Sequence, residues 1–160
     1  MDTRRDRGET LVELLVTLSI MGIAVVALVG GVAASIRMAD IHRKQAAAGA
    51  FVRAYAEALE TSVAAHPSGY DLVCTGATTY ASGAIFTPSD PNYTASVAGV
   101  KYWNGTDFVA ACTPGSDPGV QRVSLQVASG DGRAVETLDV VLRRPCRPAV
   151  DGFSADPTCS

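Results

Sequence analysis

Two carboxylates four residues apart, Glu9 and Glu13, stand where a basic, glycine-ended stretch gives way to a long apolar run. Arg4, Arg5 and Arg7 lie before Gly8, and between Leu11 and Ala34 Glu13 is the single ionisable residue. An acid at the centre of a bilayer costs about 2.5 to 3.5 kcal/mol on insertion scales, so Glu13 needs either an interfacial position or a cation at its own depth. It lies about 6 Å along a helix from Glu9, near enough to the edge of the run to reach headgroups or water. A cation arises if the chain is cut after Gly8. The new α-amino group on Glu9 would have an ordinary pKa of about 7.7 to 8.0 and be largely protonated at neutral pH. Between two staggered copies this amine and the Glu13 carboxylate could pair directly. Any other register would leave a charge unpaired in an apolar bundle, so the pair would set the axial register of an assembly.

The second chemistry-bearing set is the four cysteines, Cys74, Cys112, Cys146 and Cys159, all beyond the apolar run. None forms a Cys-x-x-Cys pair and neither histidine is near a cysteine in sequence, so the pattern argues against a zinc site. An even count reads as two disulfides in an oxidising compartment. Three connectivities are possible, of which Cys74 with Cys112 and Cys146 with Cys159 is favoured. No catalytic set rises above background. Gly115-Ser116-Asp117-Pro118-Gly119 lacks the spacing of a nucleophile elbow. Asp131-Gly132 is turn chemistry. His42 beside Arg43 and Lys44, and His66 before Pro67, read as solvated or structural. A formal net charge of -3 and the lack of a basic, aromatic-laced stripe argue against nucleic acid. The chain reads as a non-enzyme without cofactor or metal.

These residues need elements to carry them. A helix crossing the hydrocarbon core takes roughly 20 apolar residues, which Leu11 to Ala34 supplies. The flanks, with Arg4, Arg5 and Arg7 on one side and Arg37, Arg43 and Lys44 on the other, give no vote on orientation.

Arg7-Gly8-Glu9-Thr10-Leu11-Val12-Glu13-Leu14-Leu15-Val16 resembles the N-terminal cleavage and methylation signal of type IV prepilins and type II secretion pseudopilins. The resemblance implies that a prepilin peptidase cuts between Gly8 and Glu9, that Glu9 is N-methylated, and that Glu13 serves assembly. Mature chains of that family usually begin with Phe or Met; here the Glu9 side chain would partly neutralise its own amine. It further implies a single-pass precursor in the cytoplasmic membrane with a cytoplasmic leader and an exported C-terminal domain, later part of a surface filament. The implied partners are copies of itself and related pilins, the peptidase, and an assembly ATPase working through a platform protein.

Beyond the apolar run the pattern stays helical and becomes amphipathic. Ile41, Ala48, Phe51 or Val52, Tyr55, Leu59 and Val63 recur at spacings of three and four, with Arg43, Lys44, Arg53, Glu57 and Glu60 pointing elsewhere. One helix is expected from Thr10 to His66, weakest at Gly22 and Gly30-Gly31, and stopped by His66-Pro67-Ser68-Gly69. Tyr70 to Pro91 reads as a connecting loop with short strands at Leu72-Val73-Cys74 and Ala84-Ile85-Phe86. Val97 to Cys112 reads as a hairpin, with Val100–Trp103 and Asp107–Ala110 flanking Asn104-Gly105. Asn104-Gly105-Thr106 and Asn92-Tyr93-Thr94 match a glycosylation sequon, but the turn accounts for the first, and Trp103 reads as a sheet aromatic.

Val120 to Ala128 alternates, with Val123, Leu125 and Val127 on one face; Ser129-Gly130-Asp131-Gly132 turns, and Val135 to Arg143 returns with Leu138, Val140 and Leu142 inward. Arg143 to Ser160 is a tail bounded by Cys146 and Cys159, and a disulfide across it would stabilise by roughly 3 kcal/mol. It resembles the disulfide-bounded C-terminal loop of some pilins. Asp151 and Asp156 suggest the calcium site of some major pseudopilins, but no EF-hand spacing supports one, and they read as solvated loop acids.

The expected fold is α+β and type IV pilin-like: a long N-terminal helix, membrane-spanning then amphipathic, packed on a four-stranded antiparallel sheet. The expected organisation is a leader at 1–8, a membrane or filament-core helix at 9–36, its amphipathic half at 37–66 and an exported sheet domain at 67–160. The function so implied is that of a structural filament subunit: a pilin, minor pilin or pseudopilin. The alternative is a secreted or anchored binding domain with an ordinary export signal. Val32-Ala33-Ala34 before Ser35 suits signal peptidase, though the apolar run exceeds a signal core of about 7 to 15 residues.

Overall fold

Proline-free sequence and helical periodicity produce a single α-helix, α1 (Asp6–Ala65), in the computed structural model. The structure describes residues 6–65, 69–114 and 117–145, with side chains from Leu11 onward. The helix runs unbroken through Gly22, Gly30 and Gly31 despite the ~1 kcal/mol each glycine costs relative to alanine. The chain divides between His42 and Arg43 into two units.

In the second unit the helical periodicity becomes a core. Ala48, Val52, Tyr55, Leu59 and Val63 are buried, and Ala56 joins them at the edge of the same stripe. Their partners come from a four-stranded antiparallel sheet of order β2-β1-β3-β4, built from β1 (Tyr93–Trp103), β2 (Phe108–Val109), β3 (Val120–Ser129) and β4 (Val135–Arg143). Val123, Leu125 and Val127 are fully buried on β3, as their alternation requires, and Val140 and Leu142 are buried on β4. Leu138 packs partly against the same core. Two ring contacts close it, Tyr55 stacked on Phe86 at 5.4 Å and Phe51 tilted against Tyr93 at 5.1 Å.

The first hairpin begins earlier than its sequence pattern indicates. Val97 pairs with Leu125 and Gly99 with Ser124, so Ala98 is an extra residue, a β-bulge. Before the bulge Tyr93, Ala95 and Val97 face the core; after it Val100 and Tyr102 do. The change of parity cancels the alternation over the whole strand, which is why only its second half is legible as a strand. The Asn104-Gly105 turn is held by Asn104 Oδ1, which accepts from the N–H of Thr106 at 2.9 Å and of Asp107 at 2.7 Å, with Gly105 at φ 103°.

The strands expected at Leu72–Cys74 and Ala84–Phe86 do not form. The segment is loop with one 3₁₀ turn at Gly76–Thr78. Leu72 and Val73 are exposed, and Cys74 sits at φ 60°. A left-handed backbone cannot continue a strand, and the cause is a buried carboxylate described below.

Candidate functional site

The first unit carries the residues that chemistry singled out. Its backbone is helical from Asp6, so the Gly8–Glu9 peptide lies in the first turn, where amide N–H groups have no intrahelical acceptor. Glu13 follows one turn later. From Leu11 to Met38 every large apolar residue is exposed, from Val16 at 51% to Val26 at 73%. Exposure is circumferential: Leu14, Leu15 and Val16 point in three directions about 100° apart around the helix, and none is covered. Two hydroxyls in this stretch bond back to the helix's own carbonyls. Thr17 Oγ1 donates to the Glu13 carbonyl at 2.7 Å and Ser19 Oγ to the Leu15 carbonyl at 2.8 Å, which removes the cost of placing them in an apolar medium. The helix is long and apolar enough to cross a membrane. A surface apolar on every side is stable only against lipid or against other apolar helices.

In the second unit Cys74 and Cys112 are joined by a disulfide that ties the loop after α1 to the segment after β2. Cys146, Cys159, Asp151, Asp156, His66, Gly115 and Ser116 lie outside the described residues. His42 is exposed on α1. Among the described residues no three metal-ligating side chains gather.

Beside the disulfide lies a cluster with no counterpart in the motif reading. Asp71 is 2% exposed, and its carboxylate accepts four hydrogen bonds: from Thr75 N–H and Thr75 Oγ1 at 2.9 Å each, from Gly76 N–H at 2.7 Å and from Tyr102 OH at 2.9 Å. Tyr80 OH accepts from the Asp71 N–H at 2.9 Å and donates to Gln121 Oε1 at 2.6 Å. Gln121 Nε2 donates to the Asp71 carbonyl at 2.7 Å and to Asp117 Oδ2 at 2.5 Å. Tyr70 OH adds a bond to Asp117 Oδ2 at 2.9 Å, and Tyr55 OH on α1 donates to the Tyr80 carbonyl at 2.5 Å. Helix, loop, β1 and β3 are thus pinned through one set of side chains.

Electrostatics follow from that bonding. Burial pushes the Asp71 carboxyl upward, but the Thr75 and Gly76 amides and the Thr75 and Tyr102 hydroxyls outweigh it and leave its pKa below the ordinary value. Burial, then the hydrogen bond to Asp71, raise Tyr102 to about 12. Burial likewise raises Tyr55, Tyr70 and Tyr80. Gln121 is the member that sequence could have flagged, since its parity on β3 puts a polar side chain among Val123, Leu125 and Val127. Asp71 gave no such signal, because its partners are up to 50 residues away.

Lys44 and Asp131 form a second tie, 2.6 Å apart, between α1 and the β3–β4 turn. They line an open groove of about 480 Å³ with Arg43, Asp90, Asn92 and Tyr93. The Lys44 ammonium, foremost, holds the Asp131 carboxyl well below the usual range.

An apolar N-terminal helix whose second half packs on a four-stranded antiparallel sheet defines an α+β, pilin-like layout. The chain carries the prokaryotic N-terminal methylation motif over residues 3–29, which is the type IV prepilin signal. That stretch includes Gly8, Glu9 and Glu13. No curated protein and no solved structure matches the chain. Motif and helix together fit a membrane-anchored precursor of a pilin-like protein.

Proposed function

We propose that this protein is a structural subunit, a pilin, minor pilin or pseudopilin, of a type IV pilus or type II secretion-like filament. The observation that carries the reading is the helix from Leu11 to Met38, apolar and exposed on every side, directly under the methylation motif. Such a surface stores a subunit in lipid and then buries itself among copies of the same helix. Prepilin peptidase cuts between Gly8 and Glu9 and methylates the new amine. Residues 1–8 are then the leader, 9–36 the membrane and filament-core helix, 37–66 its amphipathic half, and 67–160 the exported domain. Glu13 pairs with the amine of Glu9 on a neighbouring copy and sets the stagger. The Cys74–Cys112 disulfide suits an oxidising compartment outside the cytoplasmic membrane. An assembly ATPase and its platform protein supply the work of extraction, and the role is mechanical rather than catalytic.

Intact-mass analysis of the protein from peptidase-competent cells tests the processing step. The expected mature chain begins at Glu9 with one added methyl group; a retained 1–8 segment refutes the reading, and a start at Ser35 establishes the secreted module instead. Glu13→Ala should leave insertion and trimming intact and sharply lower the yield of sheared filaments. Normal yield would show that Glu13 does not set the register.

A further inference from the structure

The loop after α1 is tied down on both sides of two residues whose side chains take no part in the tying. Tyr70 OH bonds Asp117 at 2.9 Å, Asp71 collects the Thr75 and Gly76 amides, and Cys74 is locked to Cys112 by the disulfide. Between these ties stand Leu72 and Val73, which are 38% and 64% exposed. A loop that only connects two elements is usually polar and loosely held. Here the chain buries a carboxylate and turns Cys74 to φ 60°, and what the result displays is an aliphatic pair. The ties run to Tyr102 on β1, to Gln121 on β3 and, through the disulfide, to the segment after β2; among the described residues none runs to β4.

β4 is the far edge of the sheet, three strand spacings or about 14 Å from β2. Along it runs an open groove of about 470 Å³. Val63 and Ala64 of α1 line one side, and Val141 and Leu142 of β4, followed by Pro145, line the other, with Glu60 and Arg143 as charged members. Val141 is 51% exposed, so the groove offers aliphatic surface to whatever lies beside that edge. The loop thus carries a fixed aliphatic knob, and the β4 edge a recess of the same chemistry.

We infer that Leu72 and Val73 of one copy seat in the β4-edge groove of a second copy of this chain. This rests on the filament reading and names a lateral contact within it. With α1 turned to the filament core and the sheet outward, the edges of the domain face sideways, where neighbouring copies meet. Knob and groove are different surfaces, so the contact is heterologous and continues from copy to copy instead of closing as a two-fold dimer. The Asp71 cluster and the disulfide then serve assembly as well as stability, because a knob fixed before contact loses little conformational freedom on binding.

The experiment uses the full chain in peptidase-competent cells. A photoactivatable diazirine side chain replaces Val73 in a tagged copy coexpressed with untagged protein, and sheared filaments are irradiated. The expected product joins tagged to untagged chain, with position 73 linked to residues 63–64 or 141–145. Val73→Asp and, separately, Val141→Asp should each lower filament yield roughly tenfold, because each puts an unpaired carboxylate into an apolar contact. Val73→Lys combined with Val141→Asp should return the yield to within about threefold of wild type, since the two charges then meet. Both positions are exposed, so the urea midpoints of the single variants in detergent should stay at the wild-type value. Linkage of position 73 elsewhere or only within its own chain, or a combined variant no better than its parents, would overturn the contact and leave the filament reading standing. A midpoint that falls together with the yield would do the same, since the defect would then be one of folding. A diazirine at position 141 that captures only residues 146–160 of its own chain would also overturn it, with that segment as the occupant. Failure of the trimmed wild-type chain to form filaments would overturn both readings.

Discussion

The two halves of α1 share a secondary structure and little else. From Leu11 to Met38 the helix presents Leu, Val, Ile and Met on all sides, each more than half exposed. After Arg43 it narrows to one apolar stripe, and Tyr55 and Leu59 are fully buried against the sheet. The same local hydrogen bonding therefore serves two solvents. One half has its partner within the chain; the other is complementary only to lipid or to further copies. A helix needs tertiary burial to be stable in water, so the division marks where the chain supplies its own packing and where it depends on its surroundings.

That contrast can be broken most sharply by paired truncations. Leu59→Ala removes a fully buried side chain and should destabilise the domain by about 2 to 5 kcal/mol, seen as a lower urea midpoint in detergent. Leu18→Ala, at 65% exposure, should leave that midpoint unchanged. If the two variants unfold alike, the halves are not energetically distinct. A smaller effect is expected at Asp71. Asp71→Ala leaves the Thr75 and Gly76 amides and the Tyr102 hydroxyl without their acceptor, a loss of about 1 to 3 kcal/mol.

The pH dependence sharpens the same point. Asp71 has a folded pKa below its unfolded value of 3.8, so its contribution is complete above pH 3.8 and disappears as pH falls through the folded value. Tyr102 is shifted the other way, so its contribution is complete below pH 10.0 and disappears as pH rises through about 12. Unfolding midpoints across both ranges should show acid loss in the wild type and a flatter acid limb in Asp71→Asn. The smallest change is expected from Lys44→Ala. It removes an exposed ion pair that salt already screens, and the midpoint should barely move. A large shift there would mean that the β3–β4 turn anchors α1 more strongly than Tyr55 and Leu59 do.

Much of this was legible in order along the chain. The Gly8-Glu9 junction with Glu13, the unbroken helix and the β3–β4 hairpin depend on neighbours within a few residues, and local periodicity reports them directly. The β1 bulge is invisible for a physical reason: one added residue reverses the side-chain parity, so Tyr93 to Trp103 shows no continuous alternation. Leu72-Val73-Cys74 carries the apolar signature of a short strand, but such a preference holds only when no stronger constraint acts. Here Asp71 draws the Thr75 and Gly76 amides to itself and turns the backbone at Cys74.

Sequence alone determined that a rod of apolar helix follows a glycine–acid junction, because length, charge and hydropathy are properties of consecutive residues. Tertiary structure alone decided how the connecting loop is held. Asp71, Tyr80, Tyr102, Asp117 and Gln121 converge from separate elements, and a buried carboxylate can be satisfied only by whichever donors the folded chain brings to it.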